Sequence, residues 1–209
     1  MRTRKKKWTA GELADNPCIL REPTAHAMRF KEFFGDGAPI HMEIGCGKGR
    51  FITQNALRHP ELHYIALERA PAILAAAAKN ARALPNPPVF LLMDAEELTE
   101  YFRPGDIERL YINFCDPWPG KKKWAKRRLT HGNFLALYTQ LEIPEIFFKT
   151  DNRSLFEFSL ESFCEHGWRM KNISLDLHQS NMPDNIMTEY EEKFSAKGMP
   201  IYRLEAYRR

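Results

Sequence analysis

Short apolar runs of strand length recur along the chain, at Ile40–Ile44, Tyr64–Leu67, Val89–Met93, Leu110–Cys115 and Ile146–Lys149. Stretches of helical character lie between them. Residues Pro71–Ala83 are alanine-rich, with Pro71 suited to a first turn and Pro85 acting as a stop. Phe134, Leu137, Tyr138 and Leu141 fall at i, i+3, i+4 and i+7, the spacing of one buried helix face. Ser154-x-x-Glu157 has the capping-box pattern ahead of Phe156, Ser159, Leu160 and Phe163. Strands alternating with helices predict a mostly parallel sheet covered on both faces, an α/β doubly wound architecture. Two late extended stretches, Trp168–Leu175 and Tyr202–Tyr207, lack a clear intervening helix and predict an antiparallel edge. Residues 1–20 are expected to form a basic, flexible arm, and residues 21–209 one domain.

Composition narrows the class. The 209 residues are 44% hydrophobic and 28% charged, a globular balance. No apolar run approaches the ~18–20 residues of a membrane span, and no apolar segment follows the basic N-terminus as a secretion signal requires. Neither membrane insertion nor secretion is expected, and the expected location is the cytoplasm. Cys18, Cys46, Cys115 and Cys164 have no zinc-like spacing and read as reduced thiols. His59-Pro-Glu-Leu-His63 lacks the H-E-x-x-H order, and Pro60 disrupts a helix there, so no metal site is expected. The net charge of +4 is unevenly spread. Residues 1–7 carry five cations and residues 121–128 six, with no acid in either; subtracting those eleven leaves −7 for the rest. Two basic segments on an acidic body are the footprint of a polyanion-binding surface.

The candidate chemistry lies where apolar runs end, since ligands of doubly wound sheets bind at the carboxyl ends of strands. The first run ends in Glu43-Ile-Gly45-Cys-Gly47-Lys-Gly49. Gly45 and Gly47 permit a tight turn and close approach of backbone to a ligand. The spacing is neither the dinucleotide G-x-G-x-x-G nor a phosphate-binding G-x-x-x-x-G-K-[ST]. Glu68 follows Gly45 by 23 residues, the separation at which an acid reaches ribose hydroxyls. Asp94-Ala95 ends the third run, where a carboxylate suits an adenine amine. Each acid alone also reads as a helix cap or a solvated loop residue; together they describe a pocket for an adenosine without phosphates. The fourth run ends in Asp116-Pro-Trp118-Pro, a stiffened loop whose Trp118 either stacks on a base or plugs the core. Lys121, Lys122, Lys123, Lys126, Arg127 and Arg128 follow at once, placing phosphate-holding cations beside it.

Taken together, Glu43-x-Gly45-x-Gly47-x-Gly49, Asp116-Pro-Trp-Pro119 and the following Lys126-Arg-Arg-Leu129 resemble the bacterial tRNA (guanine-N7-)-methyltransferase family. So do Phe148-Lys-Thr-Asp151, Thr188-Glu-Tyr-Glu191 and Gly198-Met-Pro-Ile-Tyr202. The resemblance runs from about residue 40 to the end. It implies a Rossmann-like class I methyltransferase fold, S-adenosylmethionine as cofactor and a variable-loop guanine of tRNA as acceptor. It also implies that Glu43, Gly45, Gly47, Glu68, Asp94, Ala95 and Asp116 line the cofactor pocket, with Asp116 also the catalytic position. Lys121, Asp151, Thr188 and Glu191 become substrate contacts. In the family a Lys directly follows Trp-Pro; here Gly120 intervenes, and Lys121 takes that place.

Three other readings share parts of this pattern. An amino-methyltransferase acting on an exocyclic base nitrogen carries [DN]-P-P-[YF] after the fourth strand, whereas Trp118 stands here for the second Pro. A non-catalytic RNA-binding protein on the same scaffold would leave the strand-end acids without a task. A nicotinamide-dependent oxidoreductase would share Glu68 but not the glycine spacing. The sequence says nothing of oligomeric state.

Overall fold

A computed structural model describes residues 8–20, 30–120, 122–180, 182 and 184–208, with backbone only at Lys122 and Lys123. Its strands are β1 (Ile40–Ile44), β2 (His63–Leu67), β3 (Val89–Leu91), β4 (Arg109–Asn113), β5 (Glu145–Thr150), β6 (Arg169–Ser174) and β7 (Tyr202–Tyr207). The helices are α1 (Trp8–Asp15), α2 (Phe30–Phe34), α3 (Arg50–Arg58), α4 (Pro71–Ala81), α5 (Leu98–Tyr101), α6 (Lys122–Ala125), α7 (Gly132–Gln140), α8 (Arg153–Glu165) and α9 (Glu189–Ser195). One seven-stranded sheet runs in the order β3-β2-β1-β4-β5-β7-β6. The pairs from β3 to β5 are parallel, and β7 is antiparallel to both β5 and β6. The predicted doubly wound sheet is present, with its antiparallel member one place in from the edge. Strand order reverses at β1, which pairs with β2 on one side and β4 on the other. That reversal opens the crevice at the strands' carboxyl ends.

Alternation along the strands sorts side chains onto two unlike faces. Ile40, Met42, Ile44, Ile65, Leu67, Leu110, Ile112, Ile146 and Phe148 point one way and form the main core with Phe134, Tyr138, Phe156 and Phe163 of α7 and α8. On the other face Tyr64, Ala66 and Phe90 pack beneath α4 and α3, through Leu74, Ala77, Ala78, Ala81 and Ile52. Further along that second face, β4, β5 and β7 present Arg109, Glu145, Lys149, Arg203 and Glu205.

Two local expectations need correction. Helix α8 begins earlier than the Ser154 capping box requires: Asn152 is the N-cap, and its Oδ1 accepts from Leu155 N–H at 2.8 Å. Glu157 instead accepts from Arg153 Nε one turn back, at 2.8 Å. Asn is as good a cap as Ser, so the cap shifts by two residues without loss. Residues 8–20, expected within a flexible arm, are seated on the sheet. Helix α1 packs on α4, and Cys18 and Ile19 are buried. Phe90 N–H donates to Cys18 O at 2.7 Å, and Leu20 N–H to Phe90 O at 3.1 Å, covering the open edge of β3. The basic residues 1–7 lie outside the described residues.

Gly49 closes the turn into α3 at φ +80°, and a Cβ there would sit 3.0 Å from Ala77 Cβ on α4. Gly105 has a similar φ of +78° with open space around it. Gly105→Ala is therefore expected to cost only the left-handed strain of about 1–2 kcal/mol. Gly49→Ala should cost about 2–4 kcal/mol, because crowding against α4 adds to that strain. Denaturant midpoints of the two variants check the difference.

Candidate cofactor and nucleic-acid site

The loop after β1 is drawn over the end of β2 by paired backbone bonds. Gly45 N–H and Cys46 N–H both donate to Leu67 O, at 2.8 and 3.0 Å. Gly45 and Gly47 have φ of +74° and +55°, and nothing lies within 4 Å of where their Cβ atoms would be. Their freedom thus serves open space at the crevice, whereas that of Gly49 serves helix packing. Glu68 ties the two strand ends together: its Oε2 accepts from Gly47 N–H at 3.3 Å and its Oε1 from Ala70 N–H at 2.9 Å. Each oxygen keeps a further lone pair for a hydroxyl donor. Asp94 caps a short 3-10 turn over Ala95–Glu97, its Oδ1 accepting from Glu96 N–H at 3.3 Å, while Ala95 is buried.

Glu43 is 2% exposed. Its Oε1 accepts from Asn113 Nδ2 at 2.9 Å, and its Oε2 is buried with no partner among the described residues. Burial pushes its carboxyl up to about 7, against the opposing pull of Asn113 and Lys149. Asp116 is exposed, and its Oδ2 lies 3.6 Å from Arg69 Nη2, linking the loop after β4 to that after β2.

A second group of predicted residues comes to the same end of the sheet through α9. Lys48 Nζ pairs with Glu189 at 3.0 Å and Arg50 with Glu192, so α9 is docked to the glycine loop and the start of α3. Tyr190 lies 5.1 Å from Phe114 between ring centroids, and its hydroxyl donates to Asp151 Oδ2 at 3.4 Å. Thr188 and Glu191 have inward-facing work. Thr188 is the N-cap of α9, its Oγ1 accepting from Glu191 N–H at 2.9 Å. The Glu191 side chain is 0% exposed and pairs with Lys149 Nζ at 2.6 Å. Asn185 Nδ2 donates to its other oxygen at 2.6 Å, with His178 Nε2 3.2 Å from that oxygen. Burial pushes the Lys149 ammonium down, and the Glu191 carboxylate draws it back. Sequence reasoning did not find the Lys149 pairing; a Lys within an otherwise apolar central strand was its signal.

The basic segment is divided in its use. Lys121 and the side chains of Lys122 and Lys123 lie outside the described residues. Lys126 and Arg127 are exposed. Arg127 also places its guanidinium 4.8 Å from the Trp118 ring centroid, and Arg128 Nε donates to Pro117 O at 2.9 Å. Two of the cations therefore brace the loop that carries Asp116. Trp118 and Phe114 hold positive φ, 43° and 52°, and Gly120 takes 101°. The strained loop is held by these contacts and by its prolines.

Residues 37–204 match a family model described as "Putative methyltransferase". The tRNA (guanine-N(7)-)-methyltransferase of Streptococcus equi subsp. zooepidemicus is 49% identical, over 99% of each chain. That of Geobacillus kaustophilus is 47% identical, over 100% of this chain and 97% of its own. The chain belongs to the tRNA (guanine-N(7)-)-methyltransferase family. Among solved structures, the 16S rRNA methyltransferase KamB superposes with a TM-score of 0.61 at 14% identity, covering 85% of this chain and 90% of its own. The antibiotic-resistance methyltransferase Kmr gives 0.57 at 17% identity, with the same coverages. Both show that the fold is that of Rossmann-like methyltransferases. The family's cofactor, S-adenosylmethionine, fits what this chain presents. The unpartnered Glu43 oxygen suits its cationic end, Glu68 keeps acceptors for a ribose, and Gly45 and Gly47 leave room for both.

Removing one member of the buried ion pair strands the other's charge. Lys149→Met is expected to destabilise the protein by about 3–5 kcal/mol, and the double variant Lys149→Met, Glu191→Gln to recover much of that loss. Thermal or denaturant unfolding of the four proteins of this cycle measures it.

Proposed function

We infer that this methyltransferase transfers the methyl group of S-adenosylmethionine to N7 of a variable-loop guanine in tRNA, in the cytoplasm. The observation that carries the reading is the buried Glu43 carboxyl, with one oxygen unpartnered beneath the open glycine turn. Full-length identity to the guanine-N7 enzymes supports the acceptor. In this reading Glu43, Gly45, Gly47, Glu68, Asp94 and Ala95 hold the cofactor. Lys121, Asp151, Thr188 and Glu191 serve the tRNA side, the last two by fixing α9 rather than by direct reach. Lys122, Lys123, Lys126, Arg127 and Arg128 meet phosphates.

When bound, S-adenosylmethionine supplies an electrophilic methyl group on a positively charged sulfur. Guanine N7 carries a lone pair and no proton, so the chain need not provide a general base. Its task is orientation, worth up to about 7–11 kcal/mol when reacting groups are well aligned. Asp116 stands exposed on a stiff loop, where its carboxylate offsets the positive charge that develops on the base. Asp151, held by Tyr190, sits on the adjoining strand end to accept from the guanine edge. Methyl transfer from labelled S-adenosylmethionine to unmodified tRNA, followed by nucleoside analysis, tests the reading. Label in 7-methylguanosine is expected; label on an exocyclic amine would replace the acceptor assignment.

The raised Glu43 carboxyl makes cofactor affinity pH-dependent. A carboxyl lifted from 4.5 to about 7 stabilises the unliganded fold fully below pH 4.5 and loses that contribution as pH climbs through about 7. A cationic ligand favours the ionised form, so affinity for S-adenosylmethionine should rise between about pH 6 and 8. Calorimetric titration across that range is expected to show the rise, and Glu43→Gln to remove it.

A further inference from the structure

The chain has four tryptophans, and three of them have partners for their rings. Trp168 is 3% exposed and lies beside Phe163 and Arg208. Trp8 has Lys79 Nζ 5.5 Å from its ring centroid, and Trp118 has the Arg127 guanidinium at 4.8 Å. Trp124, in α6, is 40% exposed, and its ring meets no aromatic or cationic group among the described residues. One edge of that indole is seated on the loop that carries Asp116. Gly120 turns there at φ +101°, and the Cβ it lacks would stand 3.7 Å from two atoms of the six-membered ring of Trp124. The chain then turns directly into the cations, with Arg127 N–H donating to Trp124 O and Arg128 N–H to Ala125 O, both at 3.0 Å.

Bracing this loop does not call for an exposed indole, since Arg127 and Arg128 already hold Trp118 and Pro117. The surroundings of Trp124 suit a different partner. Residues 121–128 hold six cations and no acid, and among the described residues no carboxylate pairs with Lys126, Arg127 or Arg128. An open aromatic face set among unpaired cations is the arrangement that binds unpaired nucleotides, the ring taking a base and the cations the backbone. Methylation creates a need for such a face. A base brought to a crevice for chemistry leaves its stack, and the base beside it loses a neighbour. An indole standing by the crevice replaces that neighbour.

We propose that Trp124 stacks on a nucleobase adjoining the acceptor guanine and fills the gap the guanine leaves, an inference that rests on tRNA being the methyl acceptor. Unmodified tRNA is prepared with an abasic residue just before or just after that guanine, and its affinity is measured for the full chain, Trp124→Leu and Trp124→Phe. With the natural sequence, loss of the stacked base is expected to weaken binding about tenfold at one of the two positions. Trp124→Leu should bind intact tRNA about tenfold more weakly and no longer distinguish it from the abasic one. Trp124→Phe should restore most of the affinity and the penalty. The salt dependence of binding should be unchanged in Trp124→Leu, because no phosphate contact is removed. A penalty absent at both positions, a penalty equal with and without the indole, or equal affinity of Trp124→Leu for intact tRNA would overturn the proposal. A flatter salt dependence in Trp124→Leu would mean that the indole only seats the cations, and would overturn it as well. Nucleoside analysis of the methylated intact tRNA is read separately. Finding 7-methylguanosine beside any of these results removes the stack alone, whereas label on another base removes the acceptor assignment and the stack with it.

Discussion

The site depends on one buried ion pair. Lys149 lies on a central strand, Glu191 on the first turn of α9, and their contact at 2.6 Å joins a sheet to a segment that shares no strand with it. Lys149 Nζ also donates to Ile186 O at 3.0 Å and Asn185 Oδ1 at 3.2 Å, so the run before α9 is gathered to the same ammonium. Burying two charges is unfavourable unless each finds several partners, and here the carboxylate has Lys149, Asn185 and His178. With that end anchored, the exposed pairs from Lys48 and Arg50 need only orient α9 over the glycine loop. Exposed pairs on their own would be too weak to seat it.

A row of polar side chains extends from that pair to the cofactor crevice. Lys149, Asn113 and Glu43 lie on one face of three adjacent strands, β5, β4 and β1. Asn113 satisfies one Glu43 oxygen, and Lys149 pulls on its charge from beyond hydrogen-bonding distance. The second oxygen has no hydrogen-bond partner among the described residues. A parallel sheet ordinarily buries apolar side chains on both faces. This one gives up apolar burial at the carboxyl ends of β1, β4 and β5, and the same departure produces both the poised carboxyl and the anchor for α9.

The strands and their order of use were legible because each apolar run is short and bounded by glycine, proline or an acid. The strand-end acids were legible for the same reason: where an apolar run stops, the next residue faces the crevice. Glu68 and Asp94 perform the turn-tying and capping roles that either residue could have had alone, and each carboxylate can accept further bonds beside them. What sequence could not show is direction. Thr188 and Glu191 read as outward contacts, yet they close a cap and a buried pair, since nothing local reveals that Lys149 is waiting beneath them. The basic run likewise reads as one surface, but Arg127 and Arg128 are partly spent on Trp118 and Pro117. Seating of residues 8–20 depends on a backbone edge at Phe90, which is far away in the chain.

This partition of the basic segment bears on how specificity and affinity are combined. A cation that only neutralises phosphate contributes to binding any RNA, and its contribution falls with salt. A cation that also stiffens a loop changes where Asp116 stands. Arg128 bonds the backbone of Pro117 while its guanidinium carbon lies 4.4 Å from the Phe158 ring centroid on α8, so the loop is referred to the main core rather than to solvent. In the proposed reaction, where alkylation at N7 asks for alignment and charge rather than proton transfer, this bracing gives Asp116, the acid this loop exposes, a fixed reference. The positive φ at Phe114 and Trp118 is consistent with that demand: a relaxed loop would be more stable by itself, but would place the carboxylate less narrowly.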